Sequence, residues 1–336
     1  MSIPRKLLLP FSLLYGGITS FRNFLYDKGI IDSHKFPIPV IAVGNLSTGG
    51  TGKTPMIEYL IDLLIPKYTI VTLSRGYGRK SKGYRVLNKD DHALTVGDEP
   101  LQFKLKYPQV VVAVDENRVR GVLNLMDEVD PQVILLDDAL QHRKIEAGLN
   151  ILLTSFNNLY SNDAILPAGN LRETASGANR ANIIVVTKCP THLSAAEQEE
   201  IGKELRLEKR QKLFFSFIEY GAFFINEKVK ITKAEISNRH ILLVTGIAKP
   251  QPLLEHLQKE EIRFEHAQFP DHHNFTPKEL NSISKAEVIL TTEKDYVRLR
   301  DVIQHPHLYY IPIKQKFLSG SIEFDSAVLQ YITNEK

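Results

Sequence analysis

Eight consecutive residues, Ser47-Thr48-Gly49-Gly50-Thr51-Gly52-Lys53-Thr54, have the types and spacing to hold a chain of phosphates. The glycines let backbone N–H groups curl around phosphate oxygens with no Cβ in the way. Lys53 can reach the β- and γ-phosphates, and the Thr54 hydroxyl suits Mg²⁺. A helix starting here aims its N-terminal dipole at the anion. Ser47 stands where such loops usually carry their first glycine, which leaves the Gly-rich arc intact. The run follows an apolar strand pattern over 39–43 and precedes a helical one over 56–64. That is the setting a P-loop requires, so a nucleotide is the expected ligand.

A second apolar strand pattern, over 133–136, delivers Asp137 and Asp138. In P-loop proteins an Asp so placed holds Mg²⁺ directly or through water, and either residue fits. Thr187-Lys188-Cys189-Pro190 is similar to the base-reading Lys loop of GTP-binding proteins. Pro190 stands where their guanine-reading Asp would be, which favours ATP; a plain strand end is the simpler alternative. Phosphoryl transfer also needs charge stabilisation and an oriented acceptor hydroxyl. Ser74-Arg75-Gly76-Tyr77-Gly78-Arg79 offers arginines for phosphate and a tyrosine for a sugar face, or is a basic turn. Asp98, in Gly97-Asp98-Glu99-Pro100, is a base or a helix N-cap. Asp271-His272-His273 can pair a carboxylate with an imidazole base, bind metal, or lie as surface polar groups. Asn170-Leu171-Arg172-Glu173 offers groups for substrate and metal, or a surface ion pair.

These groups need a frame. Short β-branched runs at 68–73, 110–114, 133–136, 151–154 and 183–187 alternate with helical patterns, which predicts a doubly wound, mostly parallel sheet of the P-loop NTPase type. The runs at 213–218 and 223–231 are expected to form a β-ribbon hinge around Glu219-Tyr220-Gly221, followed by a second, smaller α/β domain. The expected division is 1–30, 31–212 and 213–336. A length of 336 residues accommodates it. Net charge of +3 gives no case for nucleic acid, and the lone Cys189 excludes an internal disulfide. Segment 1–30 combines Arg5, Lys6, Arg22 and Lys28 with Leu, Phe and Tyr, interrupted by Pro10 and Gly16-Gly17. It is too short and broken to span a bilayer, and suits a helix lying on an anionic membrane surface. The alternative is an apolar helix packed on the domain.

Taken in order, Val43 to Pro55, Ser74-Arg75-Gly76-Tyr77-Gly78, Gly97-Asp98-Glu99-Pro100, Asp137-Asp138-Ala139-Leu140-Gln141-His142, Pro167 to Glu173 and Asp271-His272-His273 resemble the tetraacyldisaccharide 4'-kinase (lipid A 4'-kinase) family across nearly the whole chain. The resemblance implies transfer of the ATP γ-phosphate to the 4'-hydroxyl of a tetraacyldisaccharide 1-phosphate, giving lipid IVA. It implies ATP and Mg²⁺, a lipid substrate, no obligate protein partner, and a peripheral position on the cytoplasmic face of the bacterial inner membrane. By the same carry-over Asp98 and His272 form a catalytic dyad alongside Lys53. Thr54, Asp137, Asp138 and Glu173 serve Mg²⁺. Arg75, Tyr77, Gln141, His142, Asn170 and Arg172 face the sugar head group. Two departures stand out: Ala139-Leu140 replaces the family's frequent Gly-Phe, and His273 replaces its Tyr after Asp-His.

The rival reading is a partition- or maturation-type P-loop ATPase that acts as a protein switch. That class has a lysine where this chain has Thr48, and it gives the Arg-Gly-Tyr and Asp-His-His clusters no task.

Overall fold

The computed structural model describes Arg5 and residues 7–271, 273 and 275–335. Strands β1 (Val40–Asn45), β2 (Ile70–Ser74), β3 (Arg85–Val86), β4 (Val111–Val114), β5 (Val133–Asp137), β6 (Leu149–Ser155), β7 (Ile183–Thr187) and β8 (Lys212–Tyr220) build most of a nine-stranded sheet. A six-stranded sheet follows, from β9 (Phe223–Ile225), β10 (Lys230–Thr232), β11 (Ile241–Thr245), β12 (Glu265–Gln268), β13 (Val288–Thr292) and β14 (Leu308–Ile311). β15 (Ile313–Phe317) then returns to the first sheet, whose order is β15-β8-β7-β6-β1-β5-β2-β4-β3.

Only the edge strands β3 and β15 run antiparallel in that sheet. Val43 lies beside Asp137, Ser74 beside Val114, and Ser155 beside Thr187, so the strand ends are level and their loops meet along one edge. Strand order runs outward from β1 in both directions, which opens a crevice there for a ligand. The fully apolar strands are buried on both faces. Met56, Leu60 and Leu64 of the helix Lys53–Leu64 share one core with Phe103 and with Phe324, Val328 and Ile332 of the last helix, Ser321–Asn334.

The expected ribbon forms between different strands. β8 pairs with β7 and β15, while β9 pairs with β10 and β14. Phe214 packs edge-on against Phe317 and Phe324, which draws β8 into the first sheet's core. The 223–231 run breaks where the Asn226 side chain accepts from the N–H groups of Lys228 and Val229, both at 2.9 Å. The connection between the two sheets is therefore the antiparallel pair β8–β15.

Where the domains touch, helix Glu293–Leu299 lies against helix Asp98–Lys106. Lys106 Nζ donates to Glu58 (2.7 Å) and Glu293 (3.0 Å), and Gln102 Nε2 donates to the same two carboxylates at 2.9 and 3.0 Å. Burial raises the Glu58 carboxyl above its usual range against the pull of Lys106. Burial and then the Glu58 charge push Glu293 up to about 8. Burial opposes the Lys106 charge, but the two glutamates outweigh it and raise that group.

The N-terminal helix, Leu9–Asp27, inverts the usual pattern. Its buried residues are Ser12, Gly16, Thr19 and Asn23. Leu13 (77% exposed), Leu14, Ile18 and Phe21 point away from the protein. The small and polar stripe is what packs: Ala168 N–H donates to Ser12 Oγ (2.9 Å), Tyr15 Oη to Arg172 O (3.0 Å), and Asn23 Nδ2 to Glu173 (2.7 Å). Among the described residues no helix is long and apolar enough to cross a membrane.

Candidate active site

The loop after β1 is held in shape by the strand's last residue. Asn45 Nδ2 donates to Ser47 O (2.8 Å) and Gly49 O (3.3 Å). Gly52 starts the next helix at φ +88°, a conformation an L side chain rarely adopts. Neighbouring strands brace the arc: Thr187 Oγ1 donates to Thr51 O and Lys188 Nζ to Gly50 O, both at 2.7 Å. On the other flank Thr48 N–H donates to Asn170 O (2.7 Å), and Ser47 bridges Leu171. Lys53 Nζ donates to Asn45 Oδ1 (3.3 Å) and lies 3.7 Å from Asp138 Oδ1. Thr54 sits in the first turn of that helix.

β5 ends at Asp137, which is buried. Ser74 Oγ donates to its Oδ2 at 3.4 Å, and its Oδ1 has no protein partner. Burial, then Glu99 and Asp138, push this carboxyl up to about 7. Asp138 follows at φ +49° and accepts two bonds from the Arg172 guanidinium, at 3.0 and 2.8 Å. Burial opposes its charge, but Arg172, Lys53 and Arg118 hold it below the usual carboxylate range. Arg172 also donates to Asn45 O (2.8 Å), which ties both strand ends together.

Gln141 Nε2 donates to Asn45 O and to Glu173, both at 2.9 Å. Glu173 is fully buried; besides Gln141 and Asn23 it pairs with Arg180 at 2.7 Å. Asn170 Nδ2 donates to Asp163 (3.0 Å). Burial, then Arg118, Lys144, Arg75 and Arg22, push His142 down to about 4, so its imidazole is neutral. Arg75 and Tyr77 are exposed on the loop after β2, with Tyr77 at 70%.

Asp98 does not cap a helix. Gly97 takes the N-cap position and Asp98 opens the first turn, with Oδ2 3.2 Å from Arg298 Nε. Gly97 has φ +97°, and a Cβ there would sit 3.1 Å from Gly76 Cα, so the Arg-Gly-Tyr loop and the Asp98 helix start are in contact. Asp271 pairs with Lys294 (3.0 Å). His273 pairs with Glu279 (3.0 Å) and stacks on Phe269. His272 lies outside the described residues.

Sequence reasoning missed several groups here, of which Arg118 is the most telling. It is 3% exposed, Nη1 reaches Asp115 O only at 3.5 Å, and Nε has no protein partner. Burial lowers it to about 10 despite Asp137. The available signal was its place just after β4, at the same sheet edge as Asp137. Eleven buried side-chain polar atoms among the described residues lack partners, and six of them belong to Thr51, Arg118, Asp137, Gln141, His142 and Arg172. Buried polar atoms are ordinarily paired, so this concentration marks where a polar ligand belongs. Glu99, Asn45 and Asn23 also went unread.

Comparison with known proteins agrees with this geometry. The profile of the family described as "LpxK: Tetraacyldisaccharide-1-P 4'-kinase" matches residues 4–333. A tetraacyldisaccharide 4'-kinase of Flavobacterium johnsoniae is 54% identical, covering 99% of this chain and 98% of that protein. The Bacteroides thetaiotaomicron protein of the same name is 41% identical over 97% and 93%. A crystal structure of LpxK from Aquifex aeolicus in complex with ATP aligns with a TM-score of 0.81 at 32% identity, covering 98% of this chain and all of that one.

Proposed function

Because the chain belongs to the tetraacyldisaccharide-1-P 4'-kinase family, we propose that it transfers the γ-phosphate of ATP to the 4'-hydroxyl of the lipid A precursor in the crevice beside β1 and β5. The product is lipid IVA. The observation that carries this assignment to a place is the set of unpaired buried polar atoms beside the P-loop.

Backbone N–H groups of the 49–54 arc cradle the triphosphate, and Lys53 takes its β- and γ-oxygens. The bond from the 4'-oxygen to the γ-phosphorus forms as the bond from that phosphorus to the β–γ bridging oxygen breaks. The proton of the 4'-hydroxyl passes to the Asp98 carboxylate, with His272 as its partner in the dyad. Arg118 is a fixed cation for charge that develops on the transferred group. Thr54, Asp137 and Asp138 are the residues that would hold Mg²⁺, which would neutralise charge on the phosphates; the unpartnered Oδ1 and raised carboxyl of Asp137 suit a cation. Glu173 supports this shell through Gln141 and Arg180. Arg75, Tyr77, His142, Asn170 and Arg172 surround the sugar head group.

The outward apolar face of helix Leu9–Asp27 lies on the membrane, so that the acyl chains of the substrate need not leave lipid. Its other face holds Ser12, Tyr15 and Asn23 against the 168–173 loop, which sets the site close to the lipid surface.

The test is transfer of label from γ-labelled ATP to the tetraacyldisaccharide 1-phosphate in detergent micelles with Mg²⁺. Lys53→Ala should lower transfer at least about a thousandfold while melting as the wild type does. ATP hydrolysis with no labelled lipid would overturn the acceptor assignment.

A further inference from the structure

We propose that Arg298, supplied by the second domain, is a positioning residue for the catalytic carboxylate of Asp98; this rests on the reading of Asp98 as the base. The two side chains meet at 3.2 Å across the domain boundary, and each is only 11% exposed. At such a position a carboxylate opposite a guanidinium is held in one rotamer, with its oxygens aimed as a base requires. Arg298 Nη1 is itself buried without a partner, so the guanidinium retains a donor in that crevice.

The surrounding packing makes the contact a fixed one. Helix Glu293–Leu299 carries Lys294 and Arg298 four residues apart, on one face. Lys294 holds Asp271, the first residue of the Asp271-His272-His273 run, and Arg298 holds Asp98. One short helix thus holds both Asp98 and Asp271. The same helix pair is locked at its other end by Lys106 and Gln102 on Glu293, and the Asp98 turn is wedged against Gly76. An ordinary domain latch could sit anywhere on this interface. This one ends on the residue that must accept the proton.

A double-mutant cycle separates positioning from a latch. Arg298→Met should lower kcat about 10- to 100-fold and leave KM for ATP within about twofold. Arg298→Lys should recover most of the rate, because it restores the cation. In an Asp98→Asn background, Arg298→Met should change the residual rate by less than about twofold, since the group it acts through is gone. Equal losses in both backgrounds, or no loss in either, would overturn the proposal. Thermal melting of each variant shows whether it folds; if Arg298→Met does not, Arg298→Gln takes its place in the cycle. Failure of the underlying reading looks different: Asp98→Asn alone would then keep the wild-type kcat.

Discussion

Two buried polar clusters in this molecule are alike in composition and differ in completeness. At the domain boundary Glu58, Gln102, Lys106 and Glu293 satisfy one another, and none of them is among the described residues with unpartnered buried atoms. At the sheet edge Asp137 and Arg118 are buried and Gln141 and His142 half-buried, yet each leaves a buried atom unpaired. Both clusters incur the desolvation of charged groups. The first offsets it internally and joins two domains. The second is left for a ligand to complete. A charged cluster in a core is therefore read by its unpaired atoms rather than by its charge.

The largest effect expected is at the closed cluster. Lys106→Met leaves two buried carboxylates without their cation and should cost about 3–5 kcal/mol in denaturant unfolding. Replacing Glu58 and Glu293 by Gln as well should return most of it. A single variant as stable as the wild type would show that the cluster is not closed by Lys106.

Next comes the open cluster. Arg118→Met should lower kcat about 100-fold, equivalent to about 2.7 kcal/mol, while stability stays the same or rises, because a buried guanidinium with an unpartnered Nε is removed. A large drop in melting temperature with normal kcat would move Arg118 into the structural class.

The clusters also differ in their response to pH. Burial pushes the Glu293 carboxyl up to about 8, above the usual glutamate value of 4.5, so the folded protein binds the extra proton between those limits. Its contribution to stability is full below about 4.5 and is lost as pH rises through about 8. Unfolding free energy should therefore fall by roughly 3 kcal/mol from about pH 5 to pH 8, and Glu293→Gln should flatten that slope. A Gln variant with an unchanged slope would place the titration elsewhere.

The smallest effect is at the surface. Leu13→Ser with Phe21→Ser should weaken flotation with anionic phospholipid vesicles about tenfold or more and leave the melting temperature unchanged, since both side chains point outward. Unchanged flotation would remove helix Leu9–Asp27 from the membrane contact.

Much of the nucleotide half was legible because its signals are local. A buried parallel strand is a continuous apolar run, and a P-loop is eight adjacent residues. Asp137, Asp138 and Lys53 converge because strand register forces them to. What escaped reading depends on distant pairings. Arg118 looks like any first-turn helix residue until β4 is known to lie two strands from β5. The partner of β8 is nearly a hundred residues downstream. The N-terminal helix was read correctly as apolar, but its packing through Ser12, Gly16, Thr19 and Asn23 depends on grooves that only the fold provides. Glu173 shows the same limit, because its charge advertises a ligand while its neighbours are Asn23, Gln141 and Arg180.

The chain leaves the first sheet at Tyr220 and comes back at Ile313, with Gly221 N–H donating to Pro312 O (2.8 Å) where the two crossings lie side by side. The final helix then delivers Phe324, Val328 and Ile332 to the core beneath the P-loop helix. On a ribosome, the nucleotide half is therefore left open along one edge after its own first strands have emerged. At about 5–20 residues per second, the intervening domain holds that edge unpaired for roughly 5–20 s. The smaller domain has that interval to fold alone, and a nascent chain stalled before residue 313 would expose Phe214 and the face of β8 to whatever chaperone is at hand.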